Sequence, residues 1–333
     1  MSENKIFLTG IKPTGTVHMG NYIAALRQMR DISQESKVVM FIADLHALNT
    51  MHDAAAVRAH TYEIAAIIMS IGFNMDNVLM FRQSDVPAVC ELATMLTNVT
   101  PKGLMDRAHS YKAAMDKNAA AGLDVDNGVN MGLYTYPILM AADILLYGAD
   151  IVPVGADQKQ HVEFARDIAG HFNAIYGDVL KLPSAKIAAD AGIIPGLDGR
   201  KMSKSYDNVI PLMAPACELK KKIMRIITDS KTPEEPKDPD TSTIFGLYRH
   251  FASAAESAGF AEKFRAGGMG YGTAKQILFE KLDSVIAPMR ERYDYLMAHT
   301  DELDAALDAG AAVARRVADK TLSRVRRVML GKK

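Results

Sequence analysis

The stretch Lys5-Ile-Phe-Leu-Thr-Gly-Ile-Lys-Pro-Thr-Gly-Thr-Val-His-Met-Gly-Asn21 decides the fold. Its first part, Lys5–Ile11, is a continuous apolar run with the length of a buried strand. Pro13 and Gly15 then interrupt regular structure, and the apolar spacing that follows indicates a helix beginning near Asn21. A strand that leads through such a loop into a helix is the opening unit of a doubly wound α/β sheet.

The same alternation of strand and helix continues along the chain. The predicted elements are strands at 38–43 and 78–81 and helices at 53–71 and 89–96. The strands read as unbroken apolar runs, which is typical of parallel strands covered on both faces. We therefore predict a Rossmann-like α/β fold with a doubly wound parallel sheet. Ligands bind beyond the carboxyl ends of such strands, so the loop at 13–21 and the residues Asp44 and His46 are expected to border a site.

The middle of the chain is less regular. Residues 100–135 indicate an insertion with mobile loops, after which Pro137 is expected to open an apolar helix that runs to Tyr147. A strand is predicted over Asp150–Gly155, and a helix is predicted from Asp157. These elements complete a catalytic domain over residues 1–212.

The remainder, residues 213–333, is predicted to be a mainly helical domain. It opens with a basic amphipathic helix, Glu218–Ile227, followed by a proline-rich connector at 228–240. The last helix is a candidate for packing back on the catalytic domain. It contains a run of cations, for which a solvated helix face is the favoured interpretation: Arg315, Arg316, Lys320, Arg324, Arg326, Arg327, Lys332 and Lys333.

The composition limits the class of protein. Of the 333 residues 49% are hydrophobic, and the formal net charge is zero, which argues against indiscriminate nucleic-acid binding. No apolar run reaches the roughly 18 residues of a membrane span, and the N-terminus lacks a secretion signal. The only cysteines, Cys90 and Cys217, exclude a disulfide framework and a four-thiolate zinc site. We expect a cytoplasmic protein without membrane contact.

Lys201-Met-Ser-Lys-Ser205 places two ammonium groups and two hydroxyls in five residues, directly after the glycine-containing run Pro195–Gly199. Two cations on such a loop can hold a pyrophosphate group as negative charge develops on it. The alternative is a solvated basic turn. The specificity of the string favours the phosphate interpretation.

The loop at 13–21 is the second candidate for anion binding, because it leads into the N-terminus of a helix. Gly15 and Gly20 allow close approach of a ligand to the backbone. The loop is neither a Walker A motif nor a dinucleotide motif, since both glycine patterns are absent. His18 is either a donor to a phosphate or a surface histidine in an ordinary turn, and the residues alone leave both open.

Asp143 lies in a nearly all-apolar helix, and a buried carboxylate requires a partner. That partner is either a structural donor within the protein or a ligand donor such as an aromatic ring N–H. From the residues alone the structural interpretation is favoured. Met140, one turn earlier, is more often core filler than a ligand wall.

Together these motifs resemble the class I aminoacyl-tRNA synthetases, which combine a His-x-Gly-His motif after the first strand with a Lys-Met-Ser-Lys-Ser loop. Here the first motif is His18-Met-Gly-Asn21, and the asparagine resembles the tryptophanyl and tyrosyl branch. The runs that are similar are Phe7-Leu-Thr-Gly-Ile-Lys-Pro-Thr-Gly15, Gly20-Asn-Tyr22, Tyr136-Pro-Ile-Leu-Met-Ala-Ala-Asp-Ile-Leu-Leu-Tyr147 and Val152-Pro-Val-Gly-Ala-Asp-Gln-Lys-Gln-His161. Within the branch, Met140-Ala-Ala-Asp143 resembles the tryptophanyl members, because tyrosyl members usually carry glutamine at the position of Met140.

The resemblance implies a reaction and its participants. L-tryptophan would be activated with ATP and Mg²⁺ and transferred to tRNA(Trp), with release of AMP and pyrophosphate, by a homodimer without a metal site of its own. The implied catalytic residues are Lys201, Lys204 and His18. The implied ATP-binding residues are Lys12, Pro13, Thr14, Gly20, Asn21, Gly155, Ala156, Asp157, Ile193, Lys201, Met202, Ser203, Lys204 and Ser205. The implied tryptophan-binding residues are Asp143, Met140, Phe7, Gln158, Val154 and His46, with Asp143 accepting the indole N–H.

The chain departs from the family at three places. Lys12 replaces a frequent glutamine and adds a cation beside ATP. A phosphate-contacting lysine of some members aligns with Ala114, so Lys112 or Lys117 is its candidate replacement. The segment 112–132 is longer than usual. The alternatives are a tyrosyl enzyme, a nucleotidylyltransferase, which also uses a His-x-Gly-His loop, and a non-catalytic tRNA-binding paralogue, against which the two lysines argue.

Overall fold

The computed structural model describes residues 5–155, 159–187 and 193–331. Its strands form one five-stranded sheet in the order β3-β2-β1-β4-β5, and all neighbouring strands are parallel. The strands are β1 Ile6–Ile11, β2 Lys37–Ile42, β3 Val78–Arg82, β4 Ile151–Val154 and β5 Ser184–Ile187. The predicted doubly wound fold class is confirmed. The strand order reverses between β1 and β4, which is where such sheets place their ligands.

Helices connect the strands and form the C-terminal part. In the sheet region they are α1, in three consecutive segments Met19–Asn21, Tyr22–Leu26 and Arg27–Ser33, then α2 Asp44–Ala47, α3 Ala54–Ser70, α4 Ala88–Thr97, α5 Lys102–Met105, α6 His109–Ala120, α7 Met131–Leu146 and α8 Lys159–Tyr176. After the lysine-rich loop they are α9 Ala216–Met224, α10 Thr243–Tyr248, α11 Ala254–Ala266, α12 Tyr271–Ala298 and α13 Thr300–Leu330.

Local capping accounts for two of the helix starts. Asp53 is the N-cap of α3, as predicted, because its carboxylate accepts from the backbone N–H of Ala55 at 2.9 Å. Helix α1 begins at Met19 rather than near Asn21. The side chain of His18 caps it, and this capping role cannot be recognised from apolar spacing.

The insertion is more regular than predicted. Helix α6 lies inside it, and α7 begins at Met131, six residues before Pro137. Asn130 supplies the reason, since its side chain accepts from the backbone N–H of Leu133 at 2.8 Å and so opens the helix earlier. Pro137 lies within the helix and does not begin it. Strand β5 was not predicted, because its four residues contain a lysine and lack a long apolar run.

Each face of the sheet is covered by a hydrophobic core, and the C-terminal helices contribute to both. Side chains alternate along β1, so Phe7 packs on one face, in a core that extends to Leu282 of α12. Leu8 packs on the other face, in a core that includes Leu322 of α13. The strand that leads to the loop at 13–21 is therefore fixed from both sides.

Helix α13 packs against β3, the edge strand, and against α4. Ion pairs join Arg82 Nη1 to Asp304 Oδ1 at 2.9 Å and Arg326 Nε to Glu91 Oε1 at 2.6 Å. The approach is closest at Gly310, where an added Cβ would overlap the carbonyl oxygen of Met80. Within the described ranges no helix is both long and apolar enough to cross a membrane.

Candidate active site

His18 and Asn21 cap each other at the start of α1. The Asn21 backbone N–H donates to His18 Nδ1 at 3.3 Å, and the His18 backbone N–H donates to Asn21 Oδ1 at 3.1 Å. Because Nδ1 is an acceptor, a neutral His18 ring carries its proton on Nε2. The site therefore has an N–H donor beside a helix N-terminus, a position that favours anions.

The lysine loop, residues 201–205, contacts the loop at 13–21 directly. Lys204 Nζ donates to the carbonyl of Thr14 at 3.1 Å, and the Gly20 N–H lies 3.3 Å from Met202 Sδ. An added Cβ at Gly20 would lie 3.0 Å from His18 Nδ1. The absence of a side chain at Gly20 therefore leaves room for the His18 ring and for Met202 of the lysine loop, whose Cβ would lie 3.4 Å from the added atom. Gly15 has φ 99°, which also favours glycine.

Backbone pairing holds the two loops together. The Met19 N–H donates to the carbonyl of Ile210 at 2.9 Å, and the Leu212 N–H donates to the carbonyl of Val17 at 3.0 Å. The chain that leaves the lysine loop thus runs antiparallel to the chain that enters α1. The contacts between the two candidate phosphate loops are therefore built into the backbone.

Asn208, which the sequence analysis missed, shapes the lysine loop from behind. It is 2% exposed. Its Oδ1 accepts from the Ser203 N–H at 2.8 Å, and its Nδ2 donates to Asp198 Oδ1 at 2.7 Å and to the Lys201 carbonyl at 3.1 Å. An added Cβ at Gly196 would overlap its amide. The signal was available as a single polar residue beside an apolar run, but its partners are set by loop geometry.

The charge near these loops is carried by lysine. Burial, and after it the charge of Lys204, lowers the pKa of His18 to about 4, so the ring is neutral near pH 7. Burial also lowers the pKa of Lys204 and of Lys12. Partial desolvation makes the charged form of these lysines less favourable, and an anion bound beside them would offset that effect.

An apolar cavity of about 290 Å³ lies beside these loops, at the carboxyl ends of β1, β2 and β4. This volume is at the lower end of the range for small-molecule sites. Its wall consists of Leu8, Thr9, Gly10, Lys12, Phe41, Ala43, His46, Tyr136, Met140, Ile144, Val152, Pro153, Val154, Gly155, His161 and Val162. Lys12 Nζ lies 5.6 Å from the centroid of the Tyr136 ring, so the cavity has one cation on its wall, from the residue directly before the loop at 13–21.

A buried polar cluster lies behind the cavity wall. Asp143 is 1% exposed, and its Oδ2 lies 2.9 Å from Nε2 of His46, which lines the cavity. The amide Nε2 of Gln83 donates to both carboxylate oxygens, at 2.9 and 2.8 Å. Burial raises the pKa of Asp143. Gln83 was missed by the sequence analysis, because nothing in the strand sequence indicates which residue of another element it faces.

The structure brings together most of the residues predicted for tryptophan and ATP. Met140, Val154, Gly155, His46 and Lys12 line the cavity. The two paired loops contain the other predicted residues Pro13, Thr14, His18, Gly20, Asn21, Lys201, Met202, Ser203, Lys204 and Ser205.

Other predicted residues are placed differently. Phe7 is not on the cavity wall, because it points to the opposite face of β1 from Leu8. Asp143 lies behind the wall. Ile193 is 72% exposed. Ala156, Asp157 and Gln158 fall outside the described residues.

A second concavity, about 470 Å³, lies between α2, α3 and α13. Of its two arginines, Arg82 is paired with Asp85, Asp304 and Asp308, and Arg58 Nη2 donates to Tyr62 Oη at 3.0 Å. Among the described residues, no group of three or more His, Cys, Asp or Glu side chains is arranged to hold a metal ion.

The arrangement fits a two-part ligand. The cavity accepts an apolar ring of modest size, and the two loops offer lysine charge, an imidazole N–H and backbone N–H groups to an anion. A bond could be formed where the cavity meets the loops, near Lys12. Among the described residues of the site, no side chain is placed as a covalent nucleophile activated by a base, so what they supply is positioning and charge stabilisation.

Comparisons with known proteins agree with this geometry. The model of the family described as "tRNA synthetases class I (W and Y)" matches residues 2–286. The Tryptophan--tRNA ligase of Pseudomonas aeruginosa is 50% identical over 324 residues, which is 96% of this chain and 72% of that protein. The ligase of the same name from Xanthomonas campestris pv. campestris is 50% identical over 323 residues, 96% of this chain and 75% of that protein.

Solved structures give the same result. The tryptophanyl-tRNA synthetase of Campylobacter jejuni complexed with ADP and tryptophan superposes with a TM-score of 0.90 at 39% identity, covering 98% of this chain and 100% of that one. The tryptophanyl-tRNA synthetase of Mycoplasma pneumoniae has a TM-score of 0.80 at 26% identity and covers 99% of each chain.

Proposed function

The chain belongs to the class I tRNA synthetases of the tryptophan and tyrosine branch, and on that basis we propose that it activates L-tryptophan with ATP and charges tRNA(Trp). It is an aminoacyl-tRNA ligase, and its other products are AMP and pyrophosphate. The observation that carries the amino acid is the apolar cavity, which has the Asp143 carboxylate directly behind its wall and is bordered by Lys12, the residue before the first of the two paired loops.

In the first step the tryptophan carboxylate attacks the α-phosphorus of ATP in line, and pyrophosphate leaves. Lys201 and Lys204 take up the charge that develops on the leaving group, and His18 donates its Nε2–H to a phosphate oxygen. Mg²⁺ arrives with the ATP phosphates and is part of the substrate. In the second step the terminal ribose hydroxyl of the tRNA attacks the adenylate carbonyl, and AMP leaves.

ATP binding is assigned to the two loops together with the cavity rim. Pro13, Thr14, Gly20 and Asn21 provide the first loop, residues 201–205 provide the second, and Gly155 and Ile193 are assigned to the nucleoside side. Ala156 and Asp157 are assigned from the resemblance alone. Lys12 is assigned to the carboxylate and α-phosphate, because it lies at the junction of cavity and loops.

Tryptophan is assigned to the cavity with its ring between Met140 and Val154. The ring N–H is directed to Asp143, beside which His46 lies, and the amino acid's polar end is directed to Gln158. Phe7 supports the floor from the opposite face of β1. This assignment favours tryptophan over tyrosine, because a thioether at position 140 gives no polar partner for a phenol.

The remaining assignments concern the assembly. We place the catalytic domain up to residue 212 and the mainly helical domain that binds the tRNA anticodon at residues 213–333, in a cytoplasmic homodimer in which one tRNA spans both subunits. The support for a tRNA surface is the outer face of α13, where Arg316, Lys320, Arg324 and Arg327 are exposed. Their spacing puts them on one side of the helix.

Amino-acid-dependent ATP–pyrophosphate exchange tests the proposal. We expect exchange with tryptophan and none with tyrosine, followed by charging of tRNA(Trp). Exchange with tyrosine in place of tryptophan would establish the tyrosyl alternative. Binding of tRNA without exchange for either amino acid would instead establish a non-catalytic paralogue.

A further inference from the structure

The buried cluster around Asp143 contains a residue with no assigned role. Gln83 follows β3 in the turn Gln83–Asp85 and is 0% exposed. Its amide nitrogen is within hydrogen-bond distance of both Asp143 oxygens. The carboxylate fixes the orientation of the amide, because the reversed orientation would bring two oxygen atoms together. Gln83 therefore supplies only donors to Asp143.

The hydrogen bonds of this cluster are not all satisfied. Among the described residues, His46 Nδ1, Gln83 Oε1 and Tyr147 Oη are buried without a hydrogen-bond partner. A purely structural polar cluster is normally satisfied, since an unpaired buried polar atom is destabilising. His46 belongs both to this cluster and to the cavity wall. One of the three unpartnered atoms, His46 Nδ1, thus belongs to a residue that borders the space a ligand ring would occupy.

The charge state of Asp143 decides what it can recognise. An ionised carboxylate accepts a ring N–H, whereas a protonated acid occupies one oxygen with its own proton and becomes a donor. Donation by Gln83 to both oxygens stabilises the ionised form and holds its plane. Gln83 donates to both oxygens and His46 lies on Oδ2, so three of the roughly four acceptor positions of the carboxylate are used. The carboxylate therefore retains acceptor capacity for one further donor.

We infer that Gln83 is the positioning residue that makes Asp143 a selective acceptor for the indole N–H of tryptophan. The inference rests on the proposed function, because it concerns the amino acid bound at the same site. Gln83 does not touch the substrate and acts through Asp143. It converts a buried acid into a fixed, charged acceptor.

The groups around Asp143 shift its pKa in opposite directions. Burial raises its pKa, hydrogen bonds and charge from His46 lower it, the Gln83 bond lowers it, and Asp44 raises it. Burial, and after it the charge of Asp143, raises the pKa of Tyr147, the residue after α7, and of Cys90 on α4. Loss of the Gln83 bonds therefore raises the pKa of Asp143 further and favours the neutral acid.

The first test is Gln83→Met, which keeps the volume and removes the donors. The measurement is the ratio of kcat/KM in ATP–pyrophosphate exchange for tryptophan and for benzothienylalanine, in which sulfur replaces the ring N–H. We expect this ratio to fall by at least about tenfold, the weight of a hydrogen bond to a charged group. The KM for ATP is expected to stay unchanged. Gln276→Met, an amide on α12 that donates to Glu280, is the matched control.

The second test uses Gln83→Glu and the pH dependence of the same ratio. Two facing carboxyl groups share one proton, so at low pH the introduced carboxylic acid donates to Asp143 as glutamine does, and at high pH the pair repels. The ratio should therefore fall with rising pH in Gln83→Glu. It should rise with pH in Gln83→Met, where deprotonation of Asp143 restores the acceptor. A structural role predicts the same slope for both variants.

A double variant completes the test. In an Asp143→Asn background, Gln83→Met should leave the ratio unchanged, since the acceptor is already gone. An unchanged ratio for Gln83→Met in the otherwise native chain would overturn the inference, as would misfolding of both Gln83 variants while Asp143→Asn folds. Failure of the native protein to exchange with tryptophan would instead overturn the proposed function, so the two failures are distinguishable.

Discussion

At the scale of single residues, one loop contributes a charged group, Lys204, and the other contributes a neutral donor, His18. Lys204 Nζ reaches from its loop to the Thr14 carbonyl, while the His18 ring is neutral and caps the start of α1. In class I chemistry no side chain forms a covalent bond, so each residue contributes only through the charge or donor it presents. The contributions can therefore be separated by kinetics.

Lys204→Ala should slow adenylate formation by about 10²-fold while tryptophan affinity stays nearly unchanged. The reason is that a leaving-group contact strengthens in the transition state, and removal of one such group has about this effect. Pre-steady-state adenylate formation and equilibrium binding of tryptophan measure the two quantities. Lys221→Ala on α9, an exposed lysine outside the loop, is the control. A parallel loss of tryptophan affinity would contradict the assigned role.

Two histidines make stability depend on pH. Burial lowers the pKa of His18 and of His250 to about 4, with help from Lys204 in the first case and from Arg27 and Arg249 in the second. The unfolded chain titrates near 6.5, so it binds protons that the folded chain does not. Their contribution to stability is complete above about pH 6.5 and is lost as the pH falls towards 4.

The double variant His18→Gln/His250→Gln should therefore lose less stability between pH 7.5 and pH 5 than the native chain. Thermal unfolding at the two pH values measures the difference in Tm. Carboxylates contribute equally to both proteins and cancel in the comparison. Equal acid sensitivity of the two proteins would show that neither histidine is held neutral.

At the scale of elements, the sequence predicted the strands and helices that have a clear apolar pattern. It missed the element bounds that depend on side-chain caps or on pairing with a neighbouring strand. Strands β1 to β4 were predicted because they are continuous apolar runs, and α3 because Asp53 caps it. The starts of α1 and α7 depend on side-chain caps, His18 and Asn130, that apolar spacing does not register. Strand β5 is short and stabilised by pairing with β4, which is a property of the sheet.

The predictions for the candidate site divide in the same way, into residues of local motifs and residues whose partners lie in another segment. The motif residues of both loops were predicted from local strings, and the Met140 wall was predicted from the family resemblance. Gln83 and Asn208 were not, since each acts on a residue of another segment, Asp143 in one case and Asp198 and Ser203 in the other. Long-range partners of this kind follow from the folded geometry alone.

A substitution of Asn208 tests whether such a long-range partner shapes the lysine loop. Asn208→Ala should slow adenylate formation by tenfold or more at unchanged KM for tryptophan, because it removes three hydrogen bonds that shape the loop. It should also destabilise the protein by about 1–3 kcal/mol, the effect of leaving buried groups unpaired. Stopped-flow kinetics and urea unfolding measure the two effects. Asn127→Ala, an exposed asparagine in the insertion, is the control, and full activity of Asn208→Ala would sink the idea.

At the scale of the whole molecule, α13 is the element that joins the C-terminal part to the sheet. It contacts β3 at Gly310 and forms ion pairs at both ends, through Arg82 and Glu91. Arg82 is the residue directly before Gln83, so the attachment of α13 and the support of Asp143 share one turn of chain.

Gly310→Ala should destabilise the protein by about 1–3 kcal/mol, because the added methyl overlaps the Met80 carbonyl and the backbone has to move. Gly272→Ala is the matched control, since it is also a helical glycine but has no atom within 4 Å of the added Cβ. There alanine should be neutral or stabilising by up to about 1 kcal/mol. Urea unfolding compares them, and equal effects would contradict the packing at Gly310.

The outer face of α13 tests the tRNA assignment. Its apolar face, with Ala314, Ala318 and Leu322, is buried against the catalytic part, which leaves the opposite face to solvent. On that face Arg316, Lys320, Arg324 and Arg327 lie about one turn apart, while the chain as a whole has no net charge. A local stripe of this kind attracts phosphates without making the protein a general nucleic-acid binder.

The triple variant Arg316→Gln/Lys320→Gln/Arg324→Gln should weaken tRNA(Trp) binding and flatten its salt dependence. Each phosphate that the variant no longer neutralises reduces the slope of log K against log salt by about 0.7–0.9. Filter binding over a range of salt concentrations measures this, and exchange with tryptophan should remain native because the stripe is remote from the cavity. Lys37→Gln/Lys102→Gln/Lys181→Gln removes the same charge from lysines already bonded to neighbours. A reduction in slope shared by both triple variants would reflect total charge and not the α13 stripe.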